Sequence, residues 1–363
     1  MKKIRKISVI GAGAIGATFG GLIKHRKPEM EMVFIARGQH CQAMQQRKGV
    51  VLKGDWGEVE VPVTATSDPQ AVEGSDFVLF TVKTQDTEST ARQFAPMIGD
   101  AAVVSLQNGI NQHVLSKILR RDRLMVGMTA TNMAIVEPGV VVCQRRGVSV
   151  IGPADASVSD ATVQQACQTL ALSGLPVEAT ASIVGAQYNK LLFNTMGYAS
   201  VLSATDFLRD GILDHQWRNQ VALPIRAEGL RVLEAAKIPL QRVSGMSDYV
   251  RFGRLMGALN TPALGTFVKW MMKGPAKPPQ LVFSVYQDLL RHRPTEIDFV
   301  NGEIVRLAEA HGVRAPLNAE VVRRVHAMER EEQPVFLDRA EIADAFHTLR
   351  RERSDGNECD ANS

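Results

Sequence analysis

Along the first half of the chain, short apolar runs alternate with segments whose apolar positions recur at helical spacing. That alternation predicts a parallel sheet with crossover helices. Ile7–Ile10, Met32–Ile35, Phe77–Val82, Val103–Leu106 and Leu124–Met128 read as strands. Ala14–Lys24, Gly38–Arg47, Thr87–Met97 and Gln112–Leu119 read as the helices between them. Residues 50–66 switch to a period of two around Gly54 and Gly57, which predicts a hairpin. Val140–Val142 and Val148–Ile151, with Gly147 between them, predict a second β insert. After about residue 180 the β-branched runs thin out. Leu213–Lys237, Pro278–Leu290, Glu296–His311 and Asn318–Met328 then read as amphipathic helices, with 274–279 a Pro/Gly loop.

The pattern therefore predicts an α/β chain: an N-terminal parallel-sheet domain over 1–180, an all-helical domain over 181–350 and a disordered polar tail over 351–363. Length agrees, since 363 residues with 45% apolar content can bury two cores. A net charge of +4 from 42 basic and 38 acidic residues is no nucleic-acid footprint and suits small anions better. Cys41, Cys143, Cys167 and Cys359 show no metal-ligand spacing with the histidines, and they read as reduced thiols. The basic start and the uncharged stretch Ile7–Ile23 superficially resemble a signal peptide, but glycines at 11, 13, 16, 20 and 21 suit a phosphate loop instead. A cytoplasmic protein with no membrane segment is expected.

The first candidate site follows the first strand. Gly11, Ala12, Gly13, Ala14, Ile15 and Gly16 form a GxGxxG fingerprint between a strand and a helix, the context that predicts dinucleotide binding. The helix N-terminus would face the pyrophosphate. The second strand ends in Arg37 where NAD-binding folds usually carry a carboxylate, and none follows until Asp55. A guanidinium there matches a 2′-phosphate, so NADP is the expected cofactor, the other reading of Arg37 being a solvated surface charge. Lys83 follows a strand at its carboxyl end, where open α/β sheets bind ligands. Asn108-Gly109 admits two readings, a site residue or a tight turn with Asn108 left-handed.

In the second half, Lys190 and Asn194 share one face of a largely apolar helix. Lys190 is either a solvated surface charge or a desolvated proton donor to a carbonyl oxygen. Thr295 can cap a helix with Asp298 completing a shortened capping box, which makes Glu296 either a first-turn acid or a site residue.

Together, Gly11–Gly16, Arg37, Val82-Lys83, Gln107-Asn-Gly109, Lys190–Asn194, and Ser284 through Thr295–Gly302 resemble the ketopantoate reductase (2-dehydropantoate 2-reductase) family over about residues 6–350. The resemblance implies a Rossmann-type domain plus a helical domain, with the active site in the cleft between them. It implies reduction of a 2-oxo acid by NADPH, as in pantothenate and coenzyme A synthesis. Lys190 would be the general acid, Asn108 and Asn194 would orient substrate and cofactor, and Lys83 would contact the cofactor. Glu296 would bind the substrate hydroxyl and Ser284 would lie near its carboxylate. Where the family usually has a further Asn-Pro, this chain has Tyr198-Ala199, which reshapes the substrate wall. A related NADP-dependent 2-hydroxyacid dehydrogenase with another 2-oxo acid is the first alternative, and a non-catalytic NADP-binding regulator the second. The expected partner is the small-molecule substrate, with neither nucleic acid nor metal. A homodimer is allowed by the resemblance, and the apolar segment Met256–Lys273 is either its candidate surface or an ordinary buried core segment.

Overall fold

A computed structural model describes residues 3–243, 249–261, 265 and 283–360. Twelve strands are drawn among them: β1 (Lys6–Ile10), β2 (Glu31–Ile35), β3 (Gly49–Gly54), β4 (Gly57–Pro62), β5 (Thr64–Thr66), β6 (Phe77–Phe80), β7 (Ala102–Ser105), β8 (Leu124–Thr129), β9 (Asn132–Glu137), β10 (Val140–Arg145), β11 (Ser149–Pro153) and β12 (Val177–Ala179). Eight form one sheet in the order β12-β11-β8-β7-β6-β1-β2-β5. Its central strands are parallel, and only the β8–β11 pairing is antiparallel. Ile7, Val9 and Ile10 of β1 and all of β6 are buried, as strands covered on both faces must be, and this is why they read as unbroken apolar runs.

The remaining four strands form a second sheet, β4-β3-β10-β9. The predicted hairpin at 50–66 is present as β3–β4, turning between Gly54 and Gly57, whereas β5 leaves it and pairs with β2. The second predicted insert is corrected. β10 pairs with β9 across a turn at Gly139, while β11 joins the large sheet, so 140–142 and 148–151 are not partners. The period-two pattern shows a strand but not which strand it meets.

In the first half the helices are α1 (Ala14–Arg26), α2 (Gly38–Arg47), α3 (Thr87–Ile98) and α4 (Asp160–Ala171), with α5 (Ile183–Val201) leading into the second half. The helix expected at 112–119 is regular only over Gln112–Leu115. Next come α6 (Leu223–Ala235), α7 (Tyr249–Ala258), α8 (Ser284–Leu290), α9 (Asn301–Ala310), α10 (Pro316–Arg330) and α11 (Arg339–Asp360). The helix expected over 213–237 is broken: a π-helical stretch, Arg218–Ala222, precedes α6. Pro224 lacks an N–H and its ring crowds the carbonyl four residues back, so the ladder widens there. α11 continues through Asp360, past the expected tail boundary at 351; Arg350-Arg-Glu-Arg353 favours this continuation, but the Asp355-Gly-Asn357 run beyond it does not. The predicted loop at 274–279 lies outside the described residues, as does most of Met256–Lys273; Met256 and Leu259 are buried.

The chain divides into two compact units, Met1–Gln187 with Gln241–Met246, and Tyr188–Leu240 with Ser247–Ser363. Val243 belongs to one buried cluster with Val126, Met128, Val150 and Ile183 of the first unit. No described helix is long and apolar enough to cross a membrane.

Candidate functional site

In the first unit, Gly11 in the turn after β1 and Gly16 in the helix that follows have no room for a side chain. Gly11 adopts φ +84, and a Cβ there would lie 2.6 Å from the backbone nitrogen of Val82. At Gly16 a Cβ would meet Thr81 Oγ1 at 2.4 Å and Val9 Cγ1 at 2.6 Å, so α1 closes directly on the sheet. The Gly11 and Ala12 N–H groups both donate to Ile35 O, and Gly13 N–H donates to Gly11 O. The donors open to an anion are therefore those of the first turn of α1, Ala14, Ile15 and Gly16, which no earlier helical carbonyl can satisfy. No acidic residue stands in that turn and no side chain caps it. A dinucleotide pyrophosphate fits this end in both shape and charge.

Two loops at the carboxyl ends of neighbouring strands are held rigidly. Gln107 is buried and its amide donates to Val82 O (2.9 Å) and Thr87 Oγ1 (2.7 Å), while its Oε1 accepts from Ser105 Oγ (2.9 Å). Thr84 Oγ1 and Asn111 Nδ2 donate to Asn108 O at 2.7 and 2.8 Å. These bonds fix the segments that carry Lys83 and Asn108. The left-handed residue of the Asn108-Gly109 turn is Gly109, at φ +78, which corrects the alternative that placed Asn108 there. Arg37, at the end of β2, donates through Nη2 to Asp86 Oδ2 at 2.7 Å, a partner the sequence pattern did not announce.

The second unit supplies titratable side chains. Burial brings the Lys190 ammonium down to about 8, opposed by the negative charge of Glu296. Lys190 is partly buried on α5, and desolvation outweighs the attraction of Glu296 in setting its proton affinity. Glu296 is only 6% exposed. It does not open a regular helix: a 3-10 turn, Ile297–Phe299, follows it, the backbone breaks at Val300, and α9 starts at Asn301. The expected capping box is also absent. Thr295 Oγ1 accepts from Ile297 N–H (3.3 Å), but Asp298 turns away to His326 Nε2 (2.8 Å), and Thr295 N–H donates to Glu329 Oε1 (2.7 Å). Helix physics alone therefore does not account for Glu296. Glu296 is thus a buried carboxylate whose charge acts on Lys190.

Tyr198 lies two turns beyond Lys190 on α5, is 1% exposed, and its Oη is 3.2 Å from Ser284 Oγ. Burial first, and then the charges of Glu296 and Asp288, push its phenol far up, so it stays protonated as a donor or acceptor. Phe283 stands edge-on to both Tyr198 and Phe207, which seats Ser284 at the start of α8. Asn194 is partly buried on the same helix.

Sequence reasoning missed the frame behind these groups. Glu228 on α6 accepts from Leu317 N–H (3.1 Å) and from the N–H (2.9 Å) and Nδ2 (2.9 Å) of Asn318, capping α10; burial raises its carboxyl pKa. Asn318 Oδ1 in turn accepts from Asn301 Nδ2, which also reaches Thr195 O on α5. Tyr188 donates to Glu303 Oε1 at 2.7 Å. The helix bearing Lys190 is thereby tied to α9, and through it to α10 and α6. Apolar spacing gave no signal for these polar contacts, though Asn301 and Glu303 lie in and just after the Thr295–Gly302 block.

A Rossmann-type unit with a glycine loop, followed by a helical unit carrying a desolvated lysine, defines a pyridine-nucleotide-dependent reductase. Within that class the chain belongs to the ketopantoate reductase family: the family profile described as Ketopantoate reductase PanE/ApbA matches residues 7–156, and that of the family's C-terminal part matches 182–329. The 2-dehydropantoate 2-reductase of Pyrococcus horikoshii is 28% identical over 316 residues, 86% of this chain and 94% of that protein. That of Archaeoglobus fulgidus is 28% identical over 332 residues, 90% and 99% of the two chains. A solved PanE/ApbA family ketopantoate reductase from Ralstonia eutropha superposes with a TM-score of 0.73 at 28% identity, covering 89% of this chain and 98% of its own. A D-mandelate dehydrogenase solved with NADH and anilino(oxo)acetate shares the fold, with a TM-score of 0.72 at 24% identity over 89% of this chain and 98% of that one.

Proposed function

We propose that this chain is a cytoplasmic enzyme that reduces 2-dehydropantoate to pantoate with NADPH, Lys190 being the general acid. The observation that carries this reading is the partly buried Lys190, brought down to about 8 by desolvation and acted on by the charge of Glu296, in a chain of this family. The bound cofactor would supply hydride to the ketone carbon, and its pyrophosphate would rest on the first turn of α1 with Arg37 and Lys83 toward its ribose and phosphates. As negative charge develops on the ketone oxygen, the Lys190 ammonium stabilises it and passes a proton from Nζ to that oxygen, then regains one from solvent. Glu296 accepts a hydrogen bond from the substrate hydroxyl and keeps part of the population of Lys190 charged near neutrality. Asn194 and Asn108 orient the reacting groups, and Ser284 serves the carboxylate end.

One observation favours the runner-up. Tyr198 takes up the Ser284 hydroxyl, so the wall offers a phenol where an amide would hold a compact hydroxy acid. The test uses the full-length protein with NADPH and a panel of 2-oxo acids, followed by cofactor absorbance. Turnover greatest with 2-dehydropantoate supports the proposal. Turnover only with bulkier or aromatic 2-oxo acids assigns a related 2-hydroxyacid dehydrogenase, and nucleotide binding without any turnover assigns a regulator.

A further inference from the structure

β1 lies between β2 and β6 in the sheet, so the segments after β2 and after β6 stand on either side of the glycine turn. Arg37 ends the first segment. Asp86 ends the 3-10 turn Thr84–Asp86 on the second, where it directly precedes α3. Their 2.7 Å ion pair therefore spans the strand whose loop holds the pyrophosphate donors. Asp86 is not on a wandering loop: Val82 and Thr87 on its two sides are both bonded to the buried Gln107 amide, and Thr84 is bonded to Asn108. Both members of the pair are open to ligand, with Arg37 75% and Asp86 38% exposed.

We propose that Asp86 is a specificity-determining residue of the nucleotide site, a carboxylate that accepts a ribose 2′-hydroxyl and competes with a 2′-phosphate for Arg37. It supplies the acid that the end of β2 lacks, from the neighbouring side of the glycine turn. With NADPH, the phosphate must take the guanidinium from Asp86 and then sits near a carboxylate of like charge. With NADH, the pair stays closed and the second Asp86 oxygen accepts the hydroxyl. Exposed ion pairs are weak, so Asp86 narrows the preference for NADPH and does not reverse it. The chain then works with either nucleotide.

This inference rests on the dinucleotide reading of the glycine loop, and its test separates the two. Dissociation constants for NADPH and NADH are measured by nucleotide fluorescence on the full-length protein without substrate, so the ratio is read whether or not any 2-oxo acid turns over. Wild type is expected to favour NADPH by less than about tenfold, Asp86→Asn to widen that ratio about tenfold, Asp86→Glu to return it toward wild type, and Arg37→Gln to bring it to unity or below. An Asp86→Asn ratio within about twofold of wild type overturns the role of Asp86 while leaving the reductase reading intact. Absence of binding by both nucleotides overturns both.

Discussion

The two units carry their candidate chemistry in opposite ways. In the first, the anion site is built from backbone N–H groups at the start of α1, and everything that shapes it lies within residues 11–16 and the strands they touch. In the second, the reacting groups are side chains from three separate stretches, Lys190 on α5, Ser284 on α8 and Glu296 before α9, and polar contacts to α6 and α10 hold them. A backbone site is specified by where side chains are missing. A side-chain site is specified by burial and long-range partners, which set the proton affinity of Lys190. Damage to the first should therefore be felt in nucleotide binding, and damage to the second in the chemical step and its pH dependence.

The strongest break in this contrast is Lys190→Ala. Loss of a positioned general acid should lower kcat for the reduction by about 10²–10⁴, while NADPH affinity stays near wild type. The pH profile sharpens the point. Because burial lowers Lys190 to about 8 and reduction needs its ammonium, wild-type kcat/KM should fall as pH rises above about 8, and the Lys190→Ala residual rate should lack that limb. Steady-state kinetics between pH 6 and 10 would show it. A Lys190→Ala enzyme with unchanged kcat removes the proton-donor role.

Gly16→Val probes the other unit and should act on binding. Its Cβ would press on Val9, Thr81 and the Gly11 carbonyl at once, so α1 must move off the sheet. Overpacking of this kind costs about 1–3 kcal/mol, and the displaced first turn should weaken NADPH binding about tenfold or more. The limb near pH 8 should persist in whatever turnover remains at saturating nucleotide. Its disappearance would mean that the two sites are not built independently.

How much of this was legible in sequence follows the same contrast. The glycine fingerprint, the five parallel strands and Arg37 stand out because the constraint is local: a positive φ, a missing Cβ, an apolar run of strand length. Lys190 and Glu296 were candidates from helix face and capping position alone, but only the family resemblance gave them roles, since a lysine on an apolar helix and an acid after Thr295 each have an ordinary structural explanation. The structure adds burial: Glu296 is 6% exposed and Lys190 is partly buried and desolvated. Strand partnership was not legible: nothing in 140–151 says that β10 turns back to β9 while β11 joins β8. Nor was Asp86 as the partner of Arg37, because the pair is made across a strand between segments far apart in the chain.

The smallest expected effect concerns the clamp on Glu296. His326 on α10 bonds Glu329 Oε2 through Nδ1 (2.7 Å) and Asp298 Oδ1 through Nε2 (2.8 Å), while Glu329 Oε1 holds the Thr295 N–H next to Glu296. Burial works against the charged ring, but hydrogen bonds to Glu329 and Asp298 outweigh it and keep His326 above the usual histidine range. A raised value means that the clamp's contribution is complete below the ordinary histidine pKa and is lost as pH rises through the raised one. Neutral imidazole has a single N–H and can serve only one carboxylate. His326→Gln carries its two N–H donors on one nitrogen, too close together to bridge Glu329 and Asp298 as the ring's two nitrogens do, and never gains charge. It should raise the substrate KM a few-fold at low pH with little change in kcat, at a stability cost under about 1 kcal/mol for so exposed a pair. In wild type the substrate KM should climb toward the His326→Gln value as the histidine deprotonates, and the variant's KM should be flat over that window. Parallel KM profiles for the two proteins would show that Glu296 is held in place without His326, and that the second unit's side-chain site is more rigid than its hydrogen bonds suggest.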